Sequence, residues 1–255
     1  YFKKRNYKNI LFPTSKELNL LKETKVNKYI KEFKPKYVFA AAAKVGGIEA
    51  NIKYSNSFLV DNTIMQNNLI MSCLFNNIEN FMFFGSSCIY PRLSKQPIKE
   101  EYLLSDKLEE TNELYALAKI SGLKLCQNIR NKYNKNYITV MPTNLYGKND
   151  SYQNNKSHVM PALIKKIYIA KKNKDKFIKI FGTGKAIREF LHVNDLARAC
   201  ELIFKKKHSE SLINIGSGHE ISIKNLVKLL SKILNYEVKI KYDNTVPDGT
   251  PRKLL

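Results

Sequence analysis

Apolar residues along this chain recur in two rhythms. Unbroken apolar stretches mark residues 37–43, 81–86 and 137–143. Runs of that length, without alternation, predict strands buried on both faces. Residues 54–76 and 112–133 instead carry apolar positions at three-to-four spacing, which predicts long helices with one buried stripe. Helical spacing also emerges in the later part of 17–33, after a short apolar run at 10–12. Further on, strands are predicted at 177–181, 212–215 and 238–242, and helices at 160–172, 193–204 and 222–234. Alternation of strands and helices implies an α/β fold, a mostly parallel sheet wound with helices on both faces. A loose boundary falls after Gly147, where 148–157 is polar and turn-rich.

Composition changes this picture little. A 44% hydrophobic content in 255 residues suits a folded core and excludes a disordered chain. No apolar run approaches bilayer length, and residues 1–9 lack an apolar signal core, so a cytosolic protein with no membrane contact is expected. The net charge of +22 raises the question of nucleic acid. The lysines are scattered, however, and the short clusters at 171–176 and 205–207 fall at predicted helix ends, where cations suit the helix dipole. No nucleic-acid partner is expected; the charge helps attract a diphosphate-bearing substrate. The four cysteines form no CxxC pair and no zinc spacing, so no metal is expected. Cys73, Cys126 and Cys200 sit in apolar helical patterns and read as buried thiols. Cys88 differs in following a strand end.

Ligands of such sheets bind beyond the carboxyl ends of the strands. There the sequence places Lys44-Val45-Gly46-Gly47, Gly85-Ser86-Ser87-Cys88 and Pro142-Thr143-Asn144-Leu145. Tyr115 and Lys119 stand four apart on a predicted helix and share one face. A free tyrosine titrates near ~10. A neighbouring ammonium is expected to lower that value, and the Ser86 hydroxyl can bond the same substrate oxygen. Together the three form a proton donor–acceptor set for a carbonyl being reduced or an alcohol being oxidised.

The combination resembles the extended short-chain dehydrogenase/reductase family. More closely, AAAKVGGI (41–48), GSSCIYP (85–91), MPTNLYG (141–147), SHVMPAL (157–163), REFLHV (188–193) and PDGTPRK (247–253) are similar to the GDP-L-fucose synthase branch, in the same order. The resemblance implies a Rossmann-like doubly wound sheet over residues 1–147. It also implies a smaller C-terminal substrate-binding region over 148–255, some of whose segments return to the sheet. It further implies 3,5-epimerisation and NADPH-dependent 4-reduction of GDP-4-keto-6-deoxy-D-mannose by a homodimer. In that scheme Ser86, Tyr115 and Lys119 serve the reduction, while Cys88 is the base and His158 the acid of epimerisation. Ala42, Ala43, Lys119, Pro142, Asn144, Leu145 and His158 would meet the cofactor. Arg188 and Lys253 would bind the diphosphate region, Asn144 the sugar or adjacent phosphate, and Asp248 the guanine. Lys166 stands where the branch often has arginine, and lacks the planar fork that binds phosphate bidentately. His192 is expected to hydrogen-bond near the turn before Asp195 instead of doing chemistry.

One departure stands out. The family begins with a strand and a GxxGxxG turn that cradles the cofactor diphosphate, and this first strand and Gly-rich turn are missing from the chain. The expectation is weakened NADPH binding for these 255 residues alone. Two readings follow: an enzyme whose complete form binds NADPH, or a remnant that keeps the fold without the cofactor. Retention of Ser86, Tyr115, Lys119, Cys88 and His158 together favours the enzyme. Among enzymes the alternative is another sugar-nucleotide epimerase or reductase.

Overall fold

The computed structural model describes residues 1–153, 157–206 and 209–255. Residues 154–156 of the predicted boundary segment, and Lys207 of the cluster at 205–207, lie outside the described residues. Ten strands and seven α-helices occur among the described residues. The strands are β1 (Tyr37–Ala40), β2 (Asn80–Phe84), β3 (Asn136–Pro142), β4 (Asn144–Tyr146), β5 (Phe177–Phe181), β6 (Ile187–His192), β7 (Leu212–Ile215), β8 (Glu220–Ser222), β9 (Lys239–Asp243) and β10 (Arg252–Lys253). The helices are α1 (Glu23–Phe33), α2 (Ile48–Lys53), α3 (Ser55–Phe75), α4 (Glu113–Tyr133), α5 (Val159–Asn173), α6 (Val193–Lys205) and α7 (Ile223–Ile233).

The main sheet runs β1-β2-β3-β7, all parallel. Successive side chains of a strand point to opposite faces, and both faces here are covered. Phe81, Phe83 and Tyr137 face α1, α3 and α4, joining Val26, Ile30, Ile70, Cys73, Cys126 and Ile129. Met82, Ile138 and Val140 face the other way, against Leu196, Cys200 and Ile203 of α6. Cys73, Cys126 and Cys200 are thus core side chains, as their patterns predicted. Burial pushes each of these thiols up, Cys73 and Cys200 to about 12.

The run at 37–43 forms a shorter strand than expected, and it is not buried on both faces. Tyr37 is exposed, Val38 and Phe39 are half-buried and only Ala40 is buried. Among the described residues β1 is the edge strand of this sheet, which leaves part of its surface uncovered. The apolar run at 10–12 forms no strand; Phe12 is exposed.

The later segments build a second layer. β5 pairs with β9 under α5 and α7, packing Leu163, Ile167, Ile178, Ile180, Leu226 and Leu230. β6 lies between β4 and β10 and also meets β8. α7 begins with a Ser222 cap whose Oγ accepts from Asn225 N at 3.2 Å, one of the amide groups a helix start leaves unpaired. His192 caps α6: its Nδ1 accepts from Asn194 N at 3.2 Å. That is the structural role expected of it. No helix among the described residues is long and apolar enough to cross a membrane.

Candidate active site

The carboxyl ends of β1, β2 and β3 release the chain into three loops at one rim, and a cleft of about 170 Å³ opens there. Val45, Gly46, Asn51, Phe58, Gly85, Ser86, Tyr115, Pro142, Asn144, Leu145 and His158 are among its lining. Gly46 is constrained by packing: an added Cβ would meet Ala50 Cβ at 2.7 Å, so only glycine lets α2 close over the rim. A second cavity, of about 280 Å³, shares Asn51 and Tyr115 with the first and continues toward Thr111 and Asn112.

Ser86 follows β2 in extended backbone and starts a 3-10 turn at Ser87–Ile89. Its Oγ accepts from the Cys88 backbone N at 3.4 Å and from Cys88 Sγ at 3.1 Å. Cys88 is therefore tucked behind Ser86, buried and outside the cleft lining. Burial pushes its thiol up. Lys253, the Ser86 hydrogen bond and Lys119 pull the other way.

α4 presents Tyr115 and Lys119 on the face toward β2, as the spacing required. Lys119 is 3% exposed. Its Nζ donates to Phe84 O at 2.8 Å and lies 4.8 Å from the Phe83 ring centroid and 5.8 Å from that of Tyr115. Burial lowers the ammonium to about 8. The expected lowering of Tyr115 is not seen: burial, with Cys88 adding to it, raises the phenol. An ammonium committed to a carbonyl does less for the phenolate than removal from water does against it. A raised phenol holds its proton at neutral pH, the form a donor to a carbonyl oxygen needs.

The Lys119 shift has a stability signature. Between about pH 8 and 10.5 the unfolded chain carries the extra proton. Stability from this site therefore rises with pH by about 1.4 kcal/mol per unit across that window. In urea unfolding, the native protein should gain about 2–3 kcal/mol on Lys119→Met from pH 7 to pH 10. A difference between the two that stays constant would contradict a buried ammonium.

The remaining candidates divide. Pro142, Asn144, Leu145 and His158 line the cleft; His158 is the exposed residue at the N-terminus of α5. Ala42 and Ala43 follow β1 outside the lining of both cavities. Asn144 Nδ2 donates to Glu189 O at 2.9 Å. Arg188 and Lys253 are register partners on β6 and β10. Arg188 donates to Ile187 O and Asp248 O, and burial lowers both cations. Lys253 lies close enough to Cys88 to act on it, a neighbour its expected diphosphate role did not foresee. Asp248 holds Thr183 with both carboxylate oxygens, at 2.8 Å to N and 2.6 Å to Oγ1. Each of its oxygens thus accepts one hydrogen bond within the protein and keeps a further lone pair. Lys166 Nζ donates to Lys179 O at 2.7 Å and sits 4.8 Å from the Phe181 ring centroid. One of its three donors is thus engaged with a backbone oxygen.

Sequence reasoning missed Glu189. It is fully buried, and it accepts from Ser217 N, Gly218 N and Leu255 N. Its backbone oxygen takes both Thr143 Oγ1 and Asn144 Nδ2. One residue thus joins the rim loop after β3 to Leu255, two residues beyond Lys253 of β10. A carboxylate between Arg188 and Phe190 in an otherwise strand-like stretch was the available signal.

NADPH can be tested against these residues. The Lys119 ammonium has three donors, of which Phe84 O takes one. The remaining donors suit ribose hydroxyls, and Pro142, Leu145 and His158 offer a wall for a flat ring. The nicotinamide and its ribose therefore fit. No GxxGxxG turn, the element that cradles a cofactor diphosphate, occurs in these 255 residues.

A parallel sheet with Ser, Tyr and Lys gathered at its carboxyl rim defines a class, and the chain belongs to the NAD dependent epimerase/dehydratase family, which it matches over residues 2–216. More particularly, it is 44% identical to a protein of Arabidopsis thaliana named GDP-L-fucose synthase 1, over 98% of this chain and 78% of that one. Among solved structures, a C. jejuni GDP-6-OMe-4-keto-L-xylo-heptose reductase superposes with a TM-score of 0.92 at 32% identity, covering 99% of this chain and 84% of the other. A Naegleria fowleri GDP-L-fucose synthetase bound to NADP gives 0.87 at 28% identity, covering 98% and 78%.

Proposed function

We propose that this protein is a cytosolic GDP-sugar epimerase/reductase. In this reading it converts GDP-4-keto-6-deoxy-D-mannose to GDP-L-fucose by inversion at C3 and C5 followed by reduction at C4. The observation that carries the reading is the cleft itself. Ser86, Tyr115 and His158 share its lining, Lys119 lies beneath Tyr115, and Cys88 is one hydrogen bond behind Ser86.

The ketone at C4 makes the hydrogens on C3 and C5 acidic. Cys88 takes a proton as the thiolate, a form that burial disfavours and that Lys253, the Ser86 hydrogen bond and Lys119 favour. His158 returns a proton from the cleft wall. Ser86 Oγ steadies the C4 oxygen during these exchanges. NADPH, when bound, supplies the hydride to C4. Tyr115 then delivers its proton to the C4 oxygen, which becomes the alcohol. Lys119 keeps the rim rigid through Phe84 O and offers its remaining N–H groups to the cofactor ribose. Arg188 and Lys253 supply positive charge for the substrate diphosphate.

A homodimer belongs to this reading. α3 and α4 pack together and leave Val60, Ile64 and Leu117 exposed as an apolar surface for a second copy.

The test is NADPH oxidation by the native enzyme, with GDP-4-keto-6-deoxy-mannose set against UDP- and dTDP-linked keto-sugars. Turnover of the GDP sugar alone, with GDP-L-fucose as product, is expected. Turnover of a UDP or dTDP sugar instead would overturn the assignment.

A further inference from the structure

Lys253 sits on a segment that has little structure of its own to hold it. β10 is two residues long, and it pairs with β6 as Arg252 with Ile187 and Lys253 with Arg188. Residues opposed across a ladder carry their side chains on one face, and like charges set opposite each other repel. Lys253 and Arg188 are such a pair, and both are half-buried. Their juxtaposition has to be imposed through the backbone. Gln96 clasps the segment: its Nε2 donates to Arg252 O at 3.2 Å, and its Oε1 accepts from Leu254 N at 2.8 Å. Ile98 N adds a bond to Leu254 O at 2.7 Å. The next amide is taken by a side chain of β6 itself, where Glu189 Oε2 accepts from Leu255 N at 2.9 Å.

Glu189 is well fixed for that task. It is fully buried, and a carboxylate withdrawn from water needs donors in water's place. Its Oε1 accepts from Ser217 N and, at 2.7 Å, from Gly218 N, both in the loop after β7. A Cβ at Gly216 would run into the carboxylate, so this loop is shaped to seat it. With Oε1 held there, Oε2 has a set position from which to hold Leu255. Arg188 is the preceding residue, so one strand carries a cation and the anchor of the segment bearing the second cation. We infer that Glu189 is a positioning residue for the substrate diphosphate: through the Leu255 amide it holds Lys253 beside Arg188, so that the two cations meet the phosphates as a pair. Glu189 itself touches no substrate. This inference rests on the GDP-keto-sugar reading, which gives Arg188 and Lys253 the diphosphate, and adds the residue that sets their spacing.

Its test is calorimetric titration of GDP, which carries the diphosphate without the sugar, into the native protein, Glu189→Gln, Lys253→Met and the double variant. Glutamine keeps the size of the side chain and one acceptor oxygen. With that oxygen on Ser217 and Gly218, its NH2 group faces the Leu255 N–H, donor against donor, so the hold on Leu255 is lost. The Thr143 and Asn144 bonds go to the backbone oxygen and remain. GDP affinity should fall about tenfold or more in Lys253→Met, and about fivefold to tenfold in Glu189→Gln. The double variant should bind no more weakly than Lys253→Met alone, since Glu189 acts through the lysine. A residue that only stabilised the fold would weaken binding by the same factor in either background. If Glu189→Gln does not fold, Gln96→Ala loosens the same segment from a half-buried position and should give the same pattern. Unchanged GDP affinity in Lys253→Met or in the folded clasp variant, or losses that multiply in the double variant, would overturn the inference while leaving the reductase reading intact. The expected pattern with GDP, but no NADPH oxidation by the native protein with the GDP-keto-sugar, would overturn the reading and leave the inference standing. A native protein that binds no GDP would overturn both.

Discussion

Replacing Tyr115 by phenylalanine should lower the rate of NADPH oxidation about a thousandfold, within the range by which a positioned general acid accelerates proton transfer. The loss should fall on kcat and leave the KM values for sugar and NADPH within a few-fold. The hydroxyl contributes in the transition state, when charge develops on the C4 oxygen, and little before it. Tyr115 lines the cleft, and its ring packs edge-on to Phe58 with centroids 6.1 Å apart, a contact phenylalanine can keep. The fold should therefore survive, and the two proteins should unfold at similar urea concentrations. Burial raises the Tyr115 phenol, so the native donor stays protonated well into the alkaline range. Lys119, lowered to about 8, loses its proton first. The kcat/KM of the native enzyme for reduction should thus fall above about pH 8, on the Lys119 titration and not on that of the tyrosine. A decline that begins only above pH 10 would assign the limiting proton elsewhere.

The contrast between spacing and environment at this pair shows what could be read without a structure. A Tyr115–Lys119 spacing on a helical stripe requires a shared face, and α4 delivers one. The sign of the tyrosine shift depends on how much water α4 and β2 exclude, which no spacing records. The long elements were legible for the same reason. α3 and α4 repeat their apolar positions over many turns, and β2 and β3 are nearly all apolar because helices cover both faces. α2 was invisible, being six residues between a glycine pair and a tyrosine. β6 was hidden by Arg188 and Glu189, whose burial depends on partners such as Ser217, Gly218 and Asp248 from distant segments. β1 reads as a buried strand from composition but lies at the sheet edge, because exposure depends on neighbours.

Epimerisation and reduction should separate when Cys88 and His158 are changed. Both steps act on the same ketone, but they move different protons: those on C3 and C5 in the first, the one gained by the C4 oxygen in the second. In deuterated water the native enzyme should place deuterium at C3 and C5 of the product. Cys88→Ser should abolish that uptake, because a buried serine hydroxyl is far too weak an acid to serve as the base. The volume change is small, so the turn at Ser87–Ile89 should hold. His158→Gln should reduce uptake at the position whose proton it returns, since glutamine carries no titratable proton near neutral pH. His158 is exposed at the start of α5 and makes no cap hydrogen bond, so its replacement should cost the fold little. In both variants Tyr115 and Lys119 remain, and slow reduction of the un-epimerised ketone should continue and yield a different C4 product. Tyr115→Phe should show the reverse, with deuterium entering C3 and C5 while NADPH is barely consumed. NMR of the recovered sugars alongside NADPH absorbance reads both channels in one experiment. If the Cys88→Ser enzyme exchanged deuterium at the native rate, Cys88 would be a packed side chain behind Ser86, and the base would have to be sought among groups that line the cleft.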